Sequence, residues 1–320
     1  MKILVTGAAG FIGSHLSEKL VKLGHEVVGM DNFSDYYSLT LKKLNAEQLK
    51  AYGVDIEHAD LVTDKLEPFV EGVDFVFHLA AQPGISASTP FTDYERNNIQ
   101  ATYQLLAATL PSSNLKGFIN VATSSIYGAD ATHDETFEPK PTSFYGVTKL
   151  AAEQLVMAYA RGKGFPVCSL RLFSVYGPRE RPEKLYPKLI HCILSDKPFP
   201  LYEGSSEHLR SYSYVDDIVN GFVATLDNFE VCRGEILNIG TDTAITTGEG
   251  IAIVENILGK KALIDVKPKR PGDQLKTHTD IGKARKLIGY NPTVTPEVGL
   301  EREVVWYRTH MFGKVNPYSE

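Results

Sequence analysis

The chain has 320 residues, of which 43% are hydrophobic, and a formal net charge of −6. That is enough apolar material for one large or two modest domains. An acidic chain without a Lys/Arg run gives no electrostatic footprint for nucleic acid or an anionic membrane surface. The cysteines Cys168, Cys192 and Cys232 are odd in number and far apart, so reduced thiols are expected, with neither a disulfide frame nor a zinc site. No apolar run reaches membrane-spanning length, and the first residues read as a strand, not a signal peptide, which points to the cytoplasm.

Lys2–Thr6 reads as a buried strand, and Phe11–Leu23 has helical spacing, with Phe11, Ile12, Leu16, Leu20 and Leu23 on one face. Further strands are expected at His25–Met30, Val54–His58, Val73–Leu79, Phe118–Ala122 and Pro166–Leu172, with helices at Thr92–Leu110 and Ser143–Arg161. This alternation predicts an α/β fold, a doubly wound parallel sheet of Rossmann type with right-handed crossovers. After Tyr176 the rhythm loosens at Gly177-Pro178 and Arg181-Pro182. Short strands are expected at Phe199–Tyr202, Glu235–Ile239 and Ala262–Val266, and helices at Val215–Asp227, Thr246–Leu258 and Pro296–Tyr307. The expected organisation is therefore a dinucleotide-binding domain over 1–176 and a smaller α/β lobe over 177–320, with some chain crossing back. Residues after Phe312 are expected to fray.

The first strand runs into Thr6-Gly7-Ala8-Ala9-Gly10-Phe11-Ile12-Gly13, after which a helix starts. Gly7, Gly10 and Gly13 permit a tight turn and close backbone approach to a pyrophosphate, which the helix N-terminus attracts. A glycine pattern alone could be an ordinary turn. The strand before it, the helix after it and Asp31 at the end of the second strand strengthen the assignment. A carboxylate there accepts ribose hydroxyls and repels a 2′-phosphate, which favours NAD over NADP. Asn32 adjoins it. Asp60-Leu61 ends the third strand, placed for adenine, and Leu79-Ala80-Ala81 ends the fourth, where small residues admit the cofactor or simply pack.

Tyr145 and Lys149 form a Y-x-x-x-K pair, one helical turn apart on a predicted helix. A tyrosine is a weak base at neutral pH unless a neighbouring cation stabilises its phenolate. With that help it can take the proton of an alcohol while hydride leaves for a nicotinamide. A surface tyrosine–lysine contact would give the same spacing. Upstream, Thr123-Ser124-Ser125-Ile126-Tyr127-Gly128 follows a strand and forms a hydroxyl-rich turn. The order of glycine loop, Asp31, hydroxyl turn and Y-x-x-x-K resembles the extended short-chain dehydrogenase/reductases of the NAD-dependent sugar epimerase/dehydratase family. The resemblance runs from Thr6–Gly13 to Gly299–Tyr307. It implies tightly held NAD, a nucleotide-diphosphate sugar, a transient 4-keto sugar, and catalysis by Thr123, Tyr145 and Lys149. It also implies that Asn98 and Phe173 line the cofactor site.

Within this family the hydroxyl turn separates the reactions. Dehydratases resemble T-D-E-x-Y-G and UDP-glucuronate decarboxylases T-S-E-x-Y-G. Here Thr123, Ser124 and Ser125 carry no carboxylate, which argues for a 4-epimerase. Asp134 and Glu135 lie nearby in sequence but read as solvated caps. Arg171–Pro182 resembles the UDP-glucuronate 4-epimerase segment R-F-F-T-V-Y-G-P-x-x-R-P, with Ser174 where those enzymes have Thr. Asp31–Tyr37 and Ala80–Ser86 resemble the same group, with Ser86 in place of its usual Arg. Arg181 is the candidate for gripping the sugar carboxylate, since a guanidinium binds carboxylate bidentately. The resemblance further implies that Arg210 and Arg270 neutralise the diphosphate, that Asp273 takes a ribose hydroxyl, and that Tyr202 flanks uracil. Exposed charges or a core strand are the plainer readings of these four.

UDP-glucuronate decarboxylase and UDP-glucose or UDP-N-acetylglucosamine 4-epimerase remain as alternatives, and more distantly a non-catalytic NAD(H)-sensing protein. The histidines show no ligand spacing and no metal is expected. A homodimer through the helices near Thr92–Leu110 and Ser143–Arg161 is implied by the resemblance, although burial in the monomer would explain their apolar faces equally well.

Overall fold

The computed structural model describes residues 1–86, 88–269 and 276–314. Seven parallel strands form the central sheet: β1 (Lys2–Thr6), β2 (Glu26–Asp31), β3 (Ile56–His58), β4 (Phe75–His78), β5 (Gly117–Thr123), β6 (Val167–Leu172) and β7 (Ile236–Ile239). Their spatial order is β7-β6-β5-β4-β1-β2-β3. The order reverses beside β1, so the crevice at the carboxyl ends of β1 and β4 is the place where this architecture binds ligands. β5 and β6 are buried along their whole length, as expected of strands covered on both faces.

Helices cover both faces: α1 (Phe11–Lys22), α2 (Leu39–Lys50), α3 (Ala101–Thr109), α4 (Phe144–Lys163), α5 (Leu185–Leu194), α6 (Val215–Asp227), α7 (Thr247–Leu258) and α8 (Pro296–His310). One apolar cluster joins Ile3, Val5 and Leu16 near the glycine loop to Ile190, Phe222 and Tyr307 further along the chain. A second lies on the opposite face around Leu4, Leu105, Phe118 and Val156. The chain does not divide cleanly at Tyr176. β7 pairs with β6 in register Ile239 to Leu172, so the second half supplies an edge strand of the sheet. The smaller lobe instead holds the parallel pair Pro198–Tyr202 with Leu263–Lys267, together with α5 and α7.

Two features depart from the expected elements. The predicted helix over Thr92–Leu110 is interrupted by a π-helical turn at Glu95–Gln100. α2 and α5 lie where no helix was expected. Among the described residues no helix is long and apolar enough to cross a membrane. Cys168, Cys192 and Cys232 are free and buried, in line with reduced thiols.

Candidate active site at the carboxyl end of the sheet

The end of β1 turns sharply because Gly7 has φ of +71°. A Cβ at Gly13 would lie 2.2 Å from the Gly7 carbonyl oxygen, so the first turn of α1 packs directly onto the loop. Gly10 caps α1 without a side-chain hydrogen bond. The amides of its first turn, at Phe11, Ile12 and Gly13, therefore stand at a positive helix end that lines the cavity. Asp31 follows at the end of β2. Its carboxylate accepts from the Ala9 amide (3.1 Å) and the Phe33 amide (2.8 Å). The buried Lys42 ammonium stands 3.7 Å away and also bonds Ser34. Asn32 and Asp60 brace one another at 3.0 Å, and Arg96 forks onto the Asp60 carboxylate. Burial opposes ionisation of Asp60, yet the Arg96 and Asn32 hydrogen bonds win and hold its carboxyl at about 2. A glycine cradle, a helix N-terminus and a fixed carboxylate at the second strand fit a dinucleotide, and Leu61, Leu79, Ala80 and Ala81 complete that wall.

The cavity measures about 870 Å³ and continues from this cradle, past the ends of β4 and β5, into the smaller lobe. At its middle stand Thr123, Ser124, Ser125, Tyr145 and Lys149. Thr123 caps the 3₁₀ turn that follows β5, its hydroxyl accepting from the Ser125 amide at 3.2 Å. Tyr145 lines the cavity beside this turn. Burial raises the Tyr145 pKa, while the Thr123 hydrogen bond and the Arg181 charge pull it down. Tyr145 and Lys149 share a face of α4, but the ammonium does not sit on the phenol as the spacing suggested. Lys149 donates instead to the Val121 carbonyl at 2.6 Å. The strand end captures it because a buried ammonium needs a strong acceptor. Burial lowers its pKa to about 8, against the pull of Glu153 one turn further on.

Most sequence-selected residues converge on this cavity. Phe173, Ser174, Ser86, Arg181, Tyr202 and Arg210 all line it. Arg270 and Asp273 lie outside the described residues, as does the end of the chain after Lys314. Asn98 is a correction. Its side chain is buried behind the wall, where it accepts from the Gln82 amide and donates to Thr148 on α4. The π-helical turn brings its neighbour Asn97 to the cavity instead. Glu135 is another. It is no solvated cap but accepts from the Asn238 amide of β7 at 2.6 Å, and burial raises its pKa. Asp134 does cap the turn at Thr136. Among residues that sequence reasoning passed over, Lys42, Tyr36, Gly84 and Glu180 line the cavity. No group of metal-ligating side chains occurs among the described residues.

The family model for the NAD dependent epimerase/dehydratase family matches residues 3–240, a span that holds the glycine cradle, the hydroxyl turn and the Tyr145–Lys149 pair. The chain belongs to this family. A structural neighbour among its members is UDP-glucuronic acid 4-epimerase from Bacillus cereus, solved in complex with UDP-glucuronic acid and NAD. It is 39% identical, covers 97% of this chain and 99% of its own, and superposes with a TM-score of 0.92. The UDP-glucuronate 4-epimerase of Thermodesulfobacterium geofontis is 34% identical over 96% of each chain. YtcB of Bacillus subtilis, described as an uncharacterized UDP-glucose epimerase, is 39% identical over 96% of this chain and 98% of its own. The family membership accounts for the continuous cavity: an epimerase/dehydratase must hold a dinucleotide and a nucleotide sugar against one another.

Proposed function

We propose that this chain is a UDP-glucuronate 4-epimerase that interconverts UDP-glucuronate and UDP-galacturonate with a resident NAD. The observation that carries the reading is the arrangement around Tyr145. Tyr145 and Thr123 line one cavity, the adjoining 123–125 turn contains no carboxylate, and Arg181 belongs to the same lining. Bound NAD would supply the acceptor and donor for the carbon-4 hydride. Tyr145 takes the proton of the 4-hydroxyl and later gives it back, with Thr123 orienting the oxygen. Lys149 holds a positive charge beside the reacting groups. A turn without an acid has no group to carry elimination of water, which favours return of hydride to the other face of the sugar over dehydration. Arg181 meets the sugar carboxylate, Arg210 the diphosphate and Tyr202 the uracil.

The similarity to the Bacillus subtilis protein favours UDP-glucose as the second reading. Incubation of the purified protein with UDP-glucuronate, without added cofactor, followed by proton NMR of the sugar ring separates the cases. UDP-galacturonate is expected. UDP-xylose or a 4-keto pentose would defeat the argument from the hydroxyl turn. No reaction with UDP-glucuronate, together with turnover of UDP-glucose, would install the second reading.

The proposal extends to a homodimer in the cytoplasm. Phe91, Tyr103, Phe144 and Val147 are exposed on and beside α3 and α4, with Phe91 and Phe144 in edge contact at 5.3 Å. Such a patch supports self-association. Light scattering should give twice the mass of one chain, and Tyr103→Glu should give the mass of one.

A further inference from the structure

The Arg181 side chain reaches across the cavity to two loops far from it in sequence. Its guanidinium lies over the ring of Tyr36, 5.4 Å from the centroid. It also occupies the space a side chain would take at position 84. A Cβ on Gly84 would be 2.5 Å from one Arg181 terminal nitrogen. Gly84 has φ of +82°, a conformation that glycine adopts without strain. The loop is held in place by the Tyr94 hydroxyl, which donates to the Gly84 carbonyl at 2.7 Å. Among the described residues Arg181 makes no ion pair with a carboxylate.

A guanidinium has two distinct surfaces. Its flat face stacks on aromatic rings, and its edge carries the donors that fork onto a carboxylate. Here Tyr36 covers the face, while among the described residues no carboxylate forms an ion pair with the edge. A free arginine must surrender rotamer freedom whenever it grips a ligand, and an arginine already seated does not. We propose that Tyr36 and Gly84 form a seat that holds the Arg181 guanidinium ready for an acidic sugar, so that Tyr36 is a positioning residue for carboxylate selectivity. This rests on the reading that Arg181 meets the sugar carboxylate. Tyr36 acts only through Arg181, so its effect belongs to acidic substrates and is absent for neutral ones.

The test compares Tyr36→Leu, Tyr36→Phe and, as control, Arg181→Ala in the purified NAD-loaded protein. Calorimetry gives the dissociation constants of UDP-glucuronate and UDP-glucose, and steady-state epimerisation gives KM and kcat. Tyr36→Leu should weaken UDP-glucuronate binding and raise its KM about tenfold, with kcat changed by no more than about twofold and UDP-glucose binding unchanged. Tyr36→Phe keeps the ring and should match the parent. The seat is refuted if Tyr36→Leu leaves the preference for the acidic sugar intact while Arg181→Ala abolishes it. It is refuted too if Tyr36→Phe is as damaged as Tyr36→Leu, because the hydroxyl would then be the functional group. If Arg181→Ala itself leaves that preference unchanged, the carboxylate reading of Arg181 fails, and the seat fails with it.

Discussion

Replacing Glu153 by Gln should destabilise the protein by roughly 3–5 kcal/mol, the cost of leaving a buried cation without its partner. Glu153 is fully buried on α4 and receives two bonds from Arg171 on β6, at 2.7 and 3.0 Å, and one from Ser169 at 3.2 Å. Arg171 is only 2% exposed and also donates to the Tyr127 hydroxyl at 2.8 Å, which in turn donates to Asn238 on β7. The network thus ties α4 to two strands and to the turn after β5. An amide at position 153 keeps the shape but removes the counter-charge and can turn an N–H toward the guanidinium. With about 2.1 cal/mol/K per residue and 320 residues, such a loss lowers Tm by about 5–7 °C. Circular dichroism on heating and in urea measures both quantities. The double variant Glu153→Gln/Arg171→Met removes the cation as well and should recover at least half of the loss. If the double variant is no more stable than the single one, lost packing and not an uncompensated charge is responsible. The single variant also carries a kinetic signature. Glu153 is the group that raises the Lys149 pKa against burial, so its loss lowers that pKa further below about 8. Activity that depends on the Lys149 cation should then decline at lower pH than in the parent.

Other outcomes follow from single atoms. In Gly13→Ala the new Cβ meets the backbone oxygen of Gly7 at 2.2 Å, which no side-chain movement can relieve. The purified variant should retain its far-UV spectrum but carry less than about a tenth of the parent's NAD, read by chromatography of the denatured protein; full occupancy would remove the glycine loop from the cofactor site. Glu180 and Glu303 are both buried and act on one another. Burial pushes the Glu180 carboxyl up to about 8, with Lys184 and Arg181 opposing, and Glu303 rises as well through burial and the Glu180 charge. Carboxyls whose folded pKa exceeds the unfolded value keep more protons in the native state, so stability is present below the ordinary 4.5 and declines as pH rises through about 8. Glu303→Gln removes one of the two ionisations. Its Tm should fall less than the parent's between pH 6 and 9, and parallel curves would contradict the coupling.

The elements that could be read from the sequence are those whose backbone signals are local. Gly7, Gly10 and Gly13 sit between an apolar run and a helical pattern, and Asp31 ends the next strand, so this wall of the cavity was legible before any contact was known. α2 was hidden because polar residues occupy its buried face. Lys42 and Asn45 lie beside Leu41 and Leu49, Lys42 against Asp31 and Asn45 donating to the Ala9 carbonyl at 2.9 Å. A helix that braces a loop through polar atoms has no clean apolar stripe. α5 has such a stripe, with Tyr186, Leu189, Ile190 and Ile193 buried, but Pro187 in its first turn reads as a breaker. A proline costs little so early in a helix, where its missing N–H would have had no partner.

The errors inside the site have a different origin. Asn98 and Asn97 are adjacent in an uninterrupted helical pattern, and no spacing rule tells which one faces the cavity. The π-helical turn changes the phase of everything after Tyr94 and sends Asn98 inward to Thr148, fifty residues away in sequence. Lys149 shows the same difficulty. Its place one turn beyond Tyr145 was legible, but the Val121 carbonyl that captures it belongs to β5, and only the pairing of β5 with β6 under α4 brings that atom within 2.6 Å. Arg181 depends on more distant partners still. Periodicity reports how a residue faces its own helix or strand. The seat of Arg181 needs Tyr36 from the loop after β2 and Gly84 from the loop after β4, and it exists because parallel connections deliver both loops to the same end of the sheet. A charge placed on one loop and selected by two others is therefore a property of the topology, and it is in such cross-loop contacts that members sharing the same catalytic pair can come to prefer different sugars.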